Sequence, residues 1–434
     1  MPALDEAVRD IGVRLGEALG HRLVLALEQQ HGTNRRIGER PRKDELPTPL
    51  RLPRKPQMVG AKCRTALEVI GDELIKEKEV LHRWRLVPEA LRGRYALIWQ
   101  QERAIKSIED YAGDPSRLTA AELVKLGHPV VIRGLAADWP IVRAPDKAAY
   151  LRQFVSGATT EMTIAAPEHH GRLFYTDGMA GLTFTKQPAT VGAVLDRLER
   201  AAGTPEPETV AAQAVSVAEA LPGFSDENRL TVLDPAVQPR IWIGNRVVTA
   251  THHDMFSNLA VVVAGRRRFT LFPPSQVANL YLGPFEFTPA GTPASLVDPE
   301  TPDLDRFPQA AEAMAEARTA ELEAGDAIYI PHMWWHHVRS LDDLSILVNY
   351  WWDEAPEPQP GLAPINALIH ALLSFEGLPD EQRAAWQAMF DHFVFHANGD
   401  PNAHIPEGKR GIRGSLSDES KTRLRRTLGQ MMTR

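Results

Sequence analysis

Two short segments far apart in the chain constrain its fold more than any other feature. The first contains His252 and Asp254, and the second contains His336. On a β-strand, residues two apart project to the same face, so His252 and Asp254 can reach one metal ion while His253 points away. Two imidazoles and one carboxylate leave the opposite coordination positions open, as Fe(II) enzymes that hold a co-substrate and oxygen require. The pattern predicts a mononuclear iron site, and with it a fold that places the two segments side by side.

The second segment decides which of its histidines faces inward. Strand alternation puts Trp334, His336 and Val338 on one face and Trp335, His337 and Arg339 on the other. Valine prefers the core and arginine prefers water, so His336 is the inward candidate. Each half of the pattern also has an ordinary explanation, a chance His-x-Asp pair or a core histidine beside two tryptophans. The two halves together favour the metal site.

Arg267 is the third candidate residue. Alternation through the surrounding segment predicts one face that carries Val261, Val263, Arg267, Phe269 and Leu271. A buried guanidinium needs an anion, because an unpaired buried charge is very costly. A dicarboxylic co-substrate would provide a bidentate partner. The alternative is that Arg267 reaches water, as we expect of Arg266 and Arg268.

Composition excludes several classes of protein. The formal net charge of −7 favours neither nucleic acid nor an anionic membrane, and the single cysteine, Cys63, excludes a disulfide framework. Residues 1–10 lack the features of a signal peptide, and no stretch is long and apolar enough to span a membrane. We therefore expect a soluble, cytoplasmic protein without membrane association.

The chain divides into three predicted regions. Residues 1–115 have helical spacing interrupted by a basic, proline-rich arm at about 33–64. Residues 116–356 contain many short strands separated by turns, which predicts a β-sandwich or barrel. Residues 357–434 return to helical patterning. The basic arm is either a solvated linker or an electrostatic handle for nucleic acid or an acidic protein.

Within the central region, individual elements can be predicted. Residues 129–134 form a buried strand, and further strands recur over 239–272 and 326–352. The segment 283–307, rich in proline and glycine, is predicted to be a long loop. A helical run is predicted from 309 to 322.

Several motifs in a fixed order resemble the cupin-like branch of the jumonji C oxygenases, a group that includes an asparaginyl hydroxylase. The matching segments are Pro129–Gly134, Asp138–Pro140, Thr249–Asp254, Asn258, Gly265–Pro274, Gly325–Pro331, Trp334–Val338 and Asn349–Trp351. The resemblance covers residues 116–356. It implies a mainly β protein with helical flanks, built on a double-stranded β-helix of the jelly-roll class.

The resemblance also implies Fe(II), 2-oxoglutarate and O2, with His252, Asp254 and His336 as the metal ligands and catalytic residues. Arg267 falls where the family usually places a lysine that grips the distal carboxylate of 2-oxoglutarate. Thr249 matches a hydroxyl that assists this grip. Because Thr249 lies off the strand parity of His252, a bulge or bend is required between them.

Two amides and one departure complete the comparison with the family. Asn258 and Asn349 match amides that line the co-substrate pocket. The related hydroxylase binds the same carboxylate with an upstream tyrosine, where this chain has Val210–Gln213 and no tyrosine. The residue that replaces it is left open.

The leading functional hypothesis is a 2-oxoglutarate-dependent hydroxylase of a protein side chain or a small molecule. An N-demethylase of the same family and a non-catalytic cupin binding module are the alternatives. Related oxygenases often dimerise through C-terminal helices, so we expect a homodimer through residues 362–396.

Overall fold

The computed structural model describes residues 106–353 and 364–432. The predictions for residues 1–105, including the basic arm and its nucleic-acid partner, lie outside these ranges. The chain divides into two compact units, one ending at Glu354 and one beginning at Ala355. Each unit is described by itself.

One sheet of the first unit has six strands. With strands numbered in chain order, they are β1 (Lys106–Ser107), β4 (Arg172–Leu173), β8 (Val248–His253), β10 (Arg267–Phe272), β11 (Arg318–Leu322) and β13 (Trp335–Ser340). Their order across the sheet is β1-β11-β10-β13-β8-β4. The two strands that carry the predicted histidine ligands are therefore neighbours.

The other sheet has eight strands. They are β2 (Val130–Ile132), β3 (Thr160–Ala165), β5 (Phe184–Ala189), β6 (Thr209–Ser216), β7 (Pro239–Gly244), β9 (Ser257–Ala264), β12 (Ala327–Ile330) and β14 (Ser345–Trp352). Their order is β2-β12-β9-β14-β7-β6-β3-β5. From β7 to β14 the chain crosses between the sheets at almost every step. This winding is the double-stranded β-helix of a jelly roll, which confirms the predicted fold.

Apolar side chains fill the space between the sheets and also cover the outer face of the larger one. Phe269 and Leu271 lie in the cluster between the sheets, whereas Val261 and Val263 pack with helix residues on the far side of β9. The prediction that these valines share a face with Arg267 is wrong. At Gly265 the chain turns (φ +67°) and passes from one sheet to the other, which breaks the alternation.

Among the described residues of the first unit, the α-helices are short and mostly cover the larger sheet. They are α1 (Ala120–Leu126), α2 (Pro140–Arg143), α3 (Lys147–Arg152), α4 (Val191–Ala201), α5 (Val217–Ala220), α6 (Phe224–Glu227) and α7 (Ala310–Glu316). The helix predicted over 309–322 is wrong beyond Glu316, because Arg318–Leu322 pairs with β10 as strand β11. Backbone pairing at this position overrides local helical spacing.

Within residues 364–432, the second unit contains three longer helices, α8 (Pro364–Ser374), α9 (Asp380–Phe393) and α10 (Asp418–Met432). The first two confirm the helical patterning predicted for this part of the chain. Among the described residues, no helix is both long and apolar enough to cross a membrane.

Candidate metal centre

Strands β8 and β13 bring the three predicted ligands together. His252 lies directly opposite His336 in the register of the two strands, and their ring centroids are 4.3 Å apart. Asp254 follows immediately after β8, and its Oδ2 is 3.6 Å from Nε2 of His336. One ligand atom from each of the three residues falls within 4.8 Å of the others. The arrangement is close enough for shared ligation of a metal ion with little adjustment.

Backbone carbonyl groups determine how the two imidazoles are oriented. Nδ1 of His252 is 2.8 Å from the carbonyl oxygen of Ala250, and Nδ1 of His336 is 3.1 Å from that of Trp334. Because a carbonyl oxygen can only accept a hydrogen bond, each ring carries its proton on Nδ1. The lone pair of Nε2 is therefore available for a metal in both rings.

Burial keeps the His252 ring neutral. Loss of hydration, together with the neighbouring His336, lowers the pKa of His252 to about 4. A metal ion requires the neutral form of an imidazole ligand. At neutral pH this side chain is thus already in the state that binds metal.

A chain of side-chain hydrogen bonds holds the Asp254 carboxylate. Its Oδ2 accepts from Nδ2 of Asn258 at 3.2 Å and from Nε1 of Trp351 at 3.0 Å. Asn349 donates to Oδ1 of Asn258 at 3.2 Å and accepts from Nε1 of Trp242 at 2.8 Å. Asn258 and Asn349 therefore orient the carboxylate, and their direct contact with a co-substrate stays a prediction.

A bulge in β8 places Thr249 on the same side of the sheet as His252. His252 pairs with His336, but Thr249 pairs with Val338, so β8 has one residue more than β13 between these pairs. The extra residue reverses the parity of the strand. The bulge that the sequence comparison required is present.

Thr249 and Arg267 line one small cavity between the two sheets. Its walls are formed by Ala211, Ala212, Gln213, Trp242, Ile243, Gly244, Val247, Thr249, Arg267, Val338 and Ser340. Val338 lies two residues from His336 on β13. The cavity therefore begins two residues along β13 from His336, one of the three candidate metal ligands.

Arg267 is a buried cation without an anionic partner among the described residues. Its side chain is only 7 % exposed, and its Nε donates to Oγ of Ser345 at 2.8 Å. Burial lowers the pKa of Arg267 to about 9, so the guanidinium stays charged at neutral pH. A charge this buried is stabilised when an anion binds beside it.

Gln213 is a cavity residue whose role the sequence did not reveal. Ala212 pairs with Ile243 and Val215 with Ile241, so β6 bulges at Gln213 and Ala214 opposite a single residue of β7. Ala214 has φ +52°, and its carbonyl oxygen accepts from Nη1 of Arg240 at 2.9 Å. The local sequence does not predict this bulge, because glycine is the usual residue at positive φ and this position is an alanine.

A family model described as a cupin-like domain matches residues 115–358. The chain belongs to this cupin-like family. Curated relatives with jumonji C type names support the same assignment. One is a lysine-specific demethylase, JMJ31, from Arabidopsis thaliana, 38 % identical over 104 residues, which are 24 % of this chain and 18 % of that protein.

Two further relatives extend the comparison of this cupin-like protein. The tRNA wybutosine-synthesizing protein 5 of Gallus gallus is 32 % identical over 146 residues, 31 % of this chain and 43 % of that protein. The bifunctional peptidase and (3S)-lysyl hydroxylase JMJD7 of Homo sapiens is 29 % identical over 256 residues, 52 % of this chain and 77 % of that protein. The chain thus spans less than half the length of the first two relatives.

Proposed function

We propose that this cupin-like protein is an Fe(II)- and 2-oxoglutarate-dependent oxygenase that hydroxylates a protein side chain or a small molecule. The observation that carries the proposal is the joint placement of two sites. Two imidazoles and a carboxylate converge within 4.8 Å, and the adjoining cavity contains a buried arginine that has no anionic partner in the described ranges.

The donor set fits a ferrous ion. Backbone carbonyl groups orient the rings of His252 and His336 so that Nε2 is available in both, and the His252 ring is neutral. Asp254 supplies the negative charge. Asn258 and Trp351 restrict rotation of that carboxylate. With 2-oxoglutarate and O2, iron bound there would supply the oxidation that converts a C–H bond of the substrate to an alcohol.

The residues that line the cavity support a dicarboxylic co-substrate. Two residues along a strand advance by about 7 Å, which separates the level of Val338 and Thr249 from that of His336. An extended five-carbon dicarboxylate has a comparable length. We assign Arg267, with Thr249 and Gln213, to the distal carboxylate, so that the other end of the molecule points toward the metal ligands.

Turnover of 2-oxoglutarate without any other substrate tests the proposal. With added Fe(II), the wild-type chain should form succinate, and Asp254→Ala should abolish this activity because one of three ligands is lost. His332→Ala is the matched control, since His332 lies exposed in the same segment as His336. Succinate formation that persists in Asp254→Ala would contradict the assignment. Binding of Fe(II) and 2-oxoglutarate by the wild type without succinate would favour a non-catalytic cupin module.

The relatives suggest which substrates to test first. The relative with the longest match reported above is named a lysyl hydroxylase, which supports a peptide lysine as the first candidate. Another is named a lysine-specific demethylase, which supports N-demethylation as the second candidate. Hydroxylation gives a stable product heavier by one oxygen atom, whereas demethylation releases formaldehyde. Mass spectrometry of lysine and methyl-lysine peptides, with a formaldehyde assay, separates the two.

A further inference from the structure

A second group of metal-ligating side chains lies on the other face of β13 from the candidate metal centre. One ligand atom from each of His337, Asp298 and Glu300 falls within 4.8 Å of the others. His337 follows His336 directly, so its side chain projects to the opposite face of the strand. We propose that these three residues form a second site, which binds a divalent transition-metal ion.

The unpartnered polar atoms of this cluster carry the proposal. His337 is only 3 % exposed, and neither of its ring nitrogens has a hydrogen-bond partner within the described parts of the chain. The buried Oε1 of Glu300 also lacks one. A buried polar atom without a partner is unfavourable, and such atoms often mark a bound water or ion. Here three of them occur in two residues whose ligand atoms approach each other, and a single cation would satisfy a ring nitrogen and Oε1 together.

The neighbouring arginines do not form a hydrogen bond to Oε1 of Glu300. Arg339 donates from Nη1 to Oε2 of Glu300, whereas the unpartnered atom is Oε1. Arg268 is 3.8 Å from Oε1 of Glu300, beyond hydrogen-bond distance, and it donates to Glu321 at 2.6 Å. Arg172 is 3.9 Å from Oδ2 of Asp298. These cations reduce the negative charge of the cluster, but they leave Oε1 of Glu300 and the His337 ring unsatisfied.

The long loop that carries the two carboxylates is already tied to strand β8. The backbone N–H of Ser295 donates to the carbonyl oxygen of Thr251 at 2.7 Å, and Thr292 Oγ1 donates to that of His253 at 2.9 Å. Within the loop, Oδ1 of Asp298 accepts from the backbone N–H of Glu300 at 3.0 Å. An ion held by His337 and these carboxylates would fasten the same loop to β13. We therefore assign the second site a structural role.

The donor set indicates the class of metal. One imidazole and two carboxylates suit Zn²⁺, Mn²⁺ or Fe²⁺ better than Ca²⁺ or Mg²⁺, which prefer oxygen ligands alone. Zn²⁺ is the practical probe, because it is not oxidised and forms comparatively tight complexes with such donors.

The number of Zn²⁺ ions bound per chain tests the proposal. Full-length protein is stripped with a chelator, reloaded with Zn²⁺, freed of excess metal and analysed by elemental mass spectrometry. The wild type should bind two ions, Glu300→Gln one, Asp254→Ala one, and the double variant none. Glu321→Gln is the matched control, since this acidic residue contacts Arg268 but lies outside the cluster, and it should bind two.

Two outcomes overturn the second site. One is a wild type that binds a single ion, which Asp254→Ala removes. The other is a Glu300→Gln variant that folds normally by circular dichroism and still binds as much Zn²⁺ as the wild type. If Glu300→Gln does not fold, Asp298→Asn replaces it. A different result is expected if the candidate centre of His252, Asp254 and His336 does not bind metal, because Asp254→Ala would then bind as much Zn²⁺ as the wild type.

Discussion

Replacing Arg267 with methionine should weaken co-substrate binding without destabilising the protein. Arg267 is buried, and in the described chain its only hydrogen bond from the guanidinium goes to Oγ of Ser345. Most substitutions of buried residues reduce stability. This one removes a charge whose partner we propose to be the co-substrate itself, so stability and binding should respond differently.

The expected magnitudes follow from these contacts. Loss of the hydrogen bond to Ser345 costs about 1 kcal/mol, whereas removing a buried charge that lacks a counter-ion also removes a desolvation penalty on the order of several kcal/mol. The midpoint of thermal unfolding without ligands should therefore stay unchanged or rise by a few degrees. Removing one partner of a buried charge pair costs about 2–5 kcal/mol of binding free energy. The Kd for 2-oxoglutarate should thus rise roughly 30-fold to several thousand-fold.

Two measurements check this prediction. Thermal unfolding of the metal-free protein gives the stability, and calorimetric titration of 2-oxoglutarate into Mn²⁺-loaded protein without oxygen gives the Kd. Arg266→Met is the matched control, since Arg266 is an exposed neighbour paired with Asp342, and its Kd should equal that of the wild type. A variant at Arg267 that unfolds several degrees earlier yet binds 2-oxoglutarate normally would refute the reasoning.

Three further predictions concern the turn at Gly265, the pH dependence of stability and the oligomeric state. Gly265→Ala should cost about 1–3 kcal/mol of unfolding free energy, because φ is +67° and the new Cβ would lie 2.5 Å from the carbonyl oxygen of Leu344; denaturant titration measures it. Hydrogen bonds from Arg197 lower the pKa of Glu208 below its ordinary value of 4.5. The pair therefore stabilises the fold fully above pH 4.5, and this contribution is lost as the pH falls through the lowered pKa. The free energy of unfolding of Glu208→Gln should therefore decrease less than that of the wild type when the pH is lowered. If the chain forms the predicted homodimer through α8, Leu372→Glu, at a leucine that is 56 % exposed, should yield monomers by light scattering, and a monomeric wild type would reject the idea.

Residue periodicity was sufficient to predict the parts of the site that lie on regular strands. Alternation distinguished His336 from His337. In the structure Trp334 and Val338 face the interior between the sheets, while Trp335 belongs to another cluster. The same rule could not place Gln213. Its position depends on a bulge and on an alanine at positive φ, and local sequence preferences do not encode either feature.

Long-range pairing explains the remaining differences. Arg318–Leu322 continues a helical pattern in sequence, yet it completes the sheet beside β10. The approach of Asp298 and Glu300 to His337 likewise depends on where a long loop lies over the sheet. Hydrophobic periodicity carries no information about which distant segment covers a strand, so these contacts required the structure.

The borders of both sheets have a consequence for handling the protein. Among the described residues, the smaller sheet has the two-residue strand β4 at one border, and the larger one ends in three-residue β2 and in β5, which contains Pro188. Such borders offer an incoming strand few backbone groups, which protects against edge-to-edge aggregation. A truncation that starts after Ser107 would remove Lys106 and Ser107, which pair with Arg318 and Thr319, and would uncover this border of β11. We expect such shortened preparations to precipitate more readily than the intact chain.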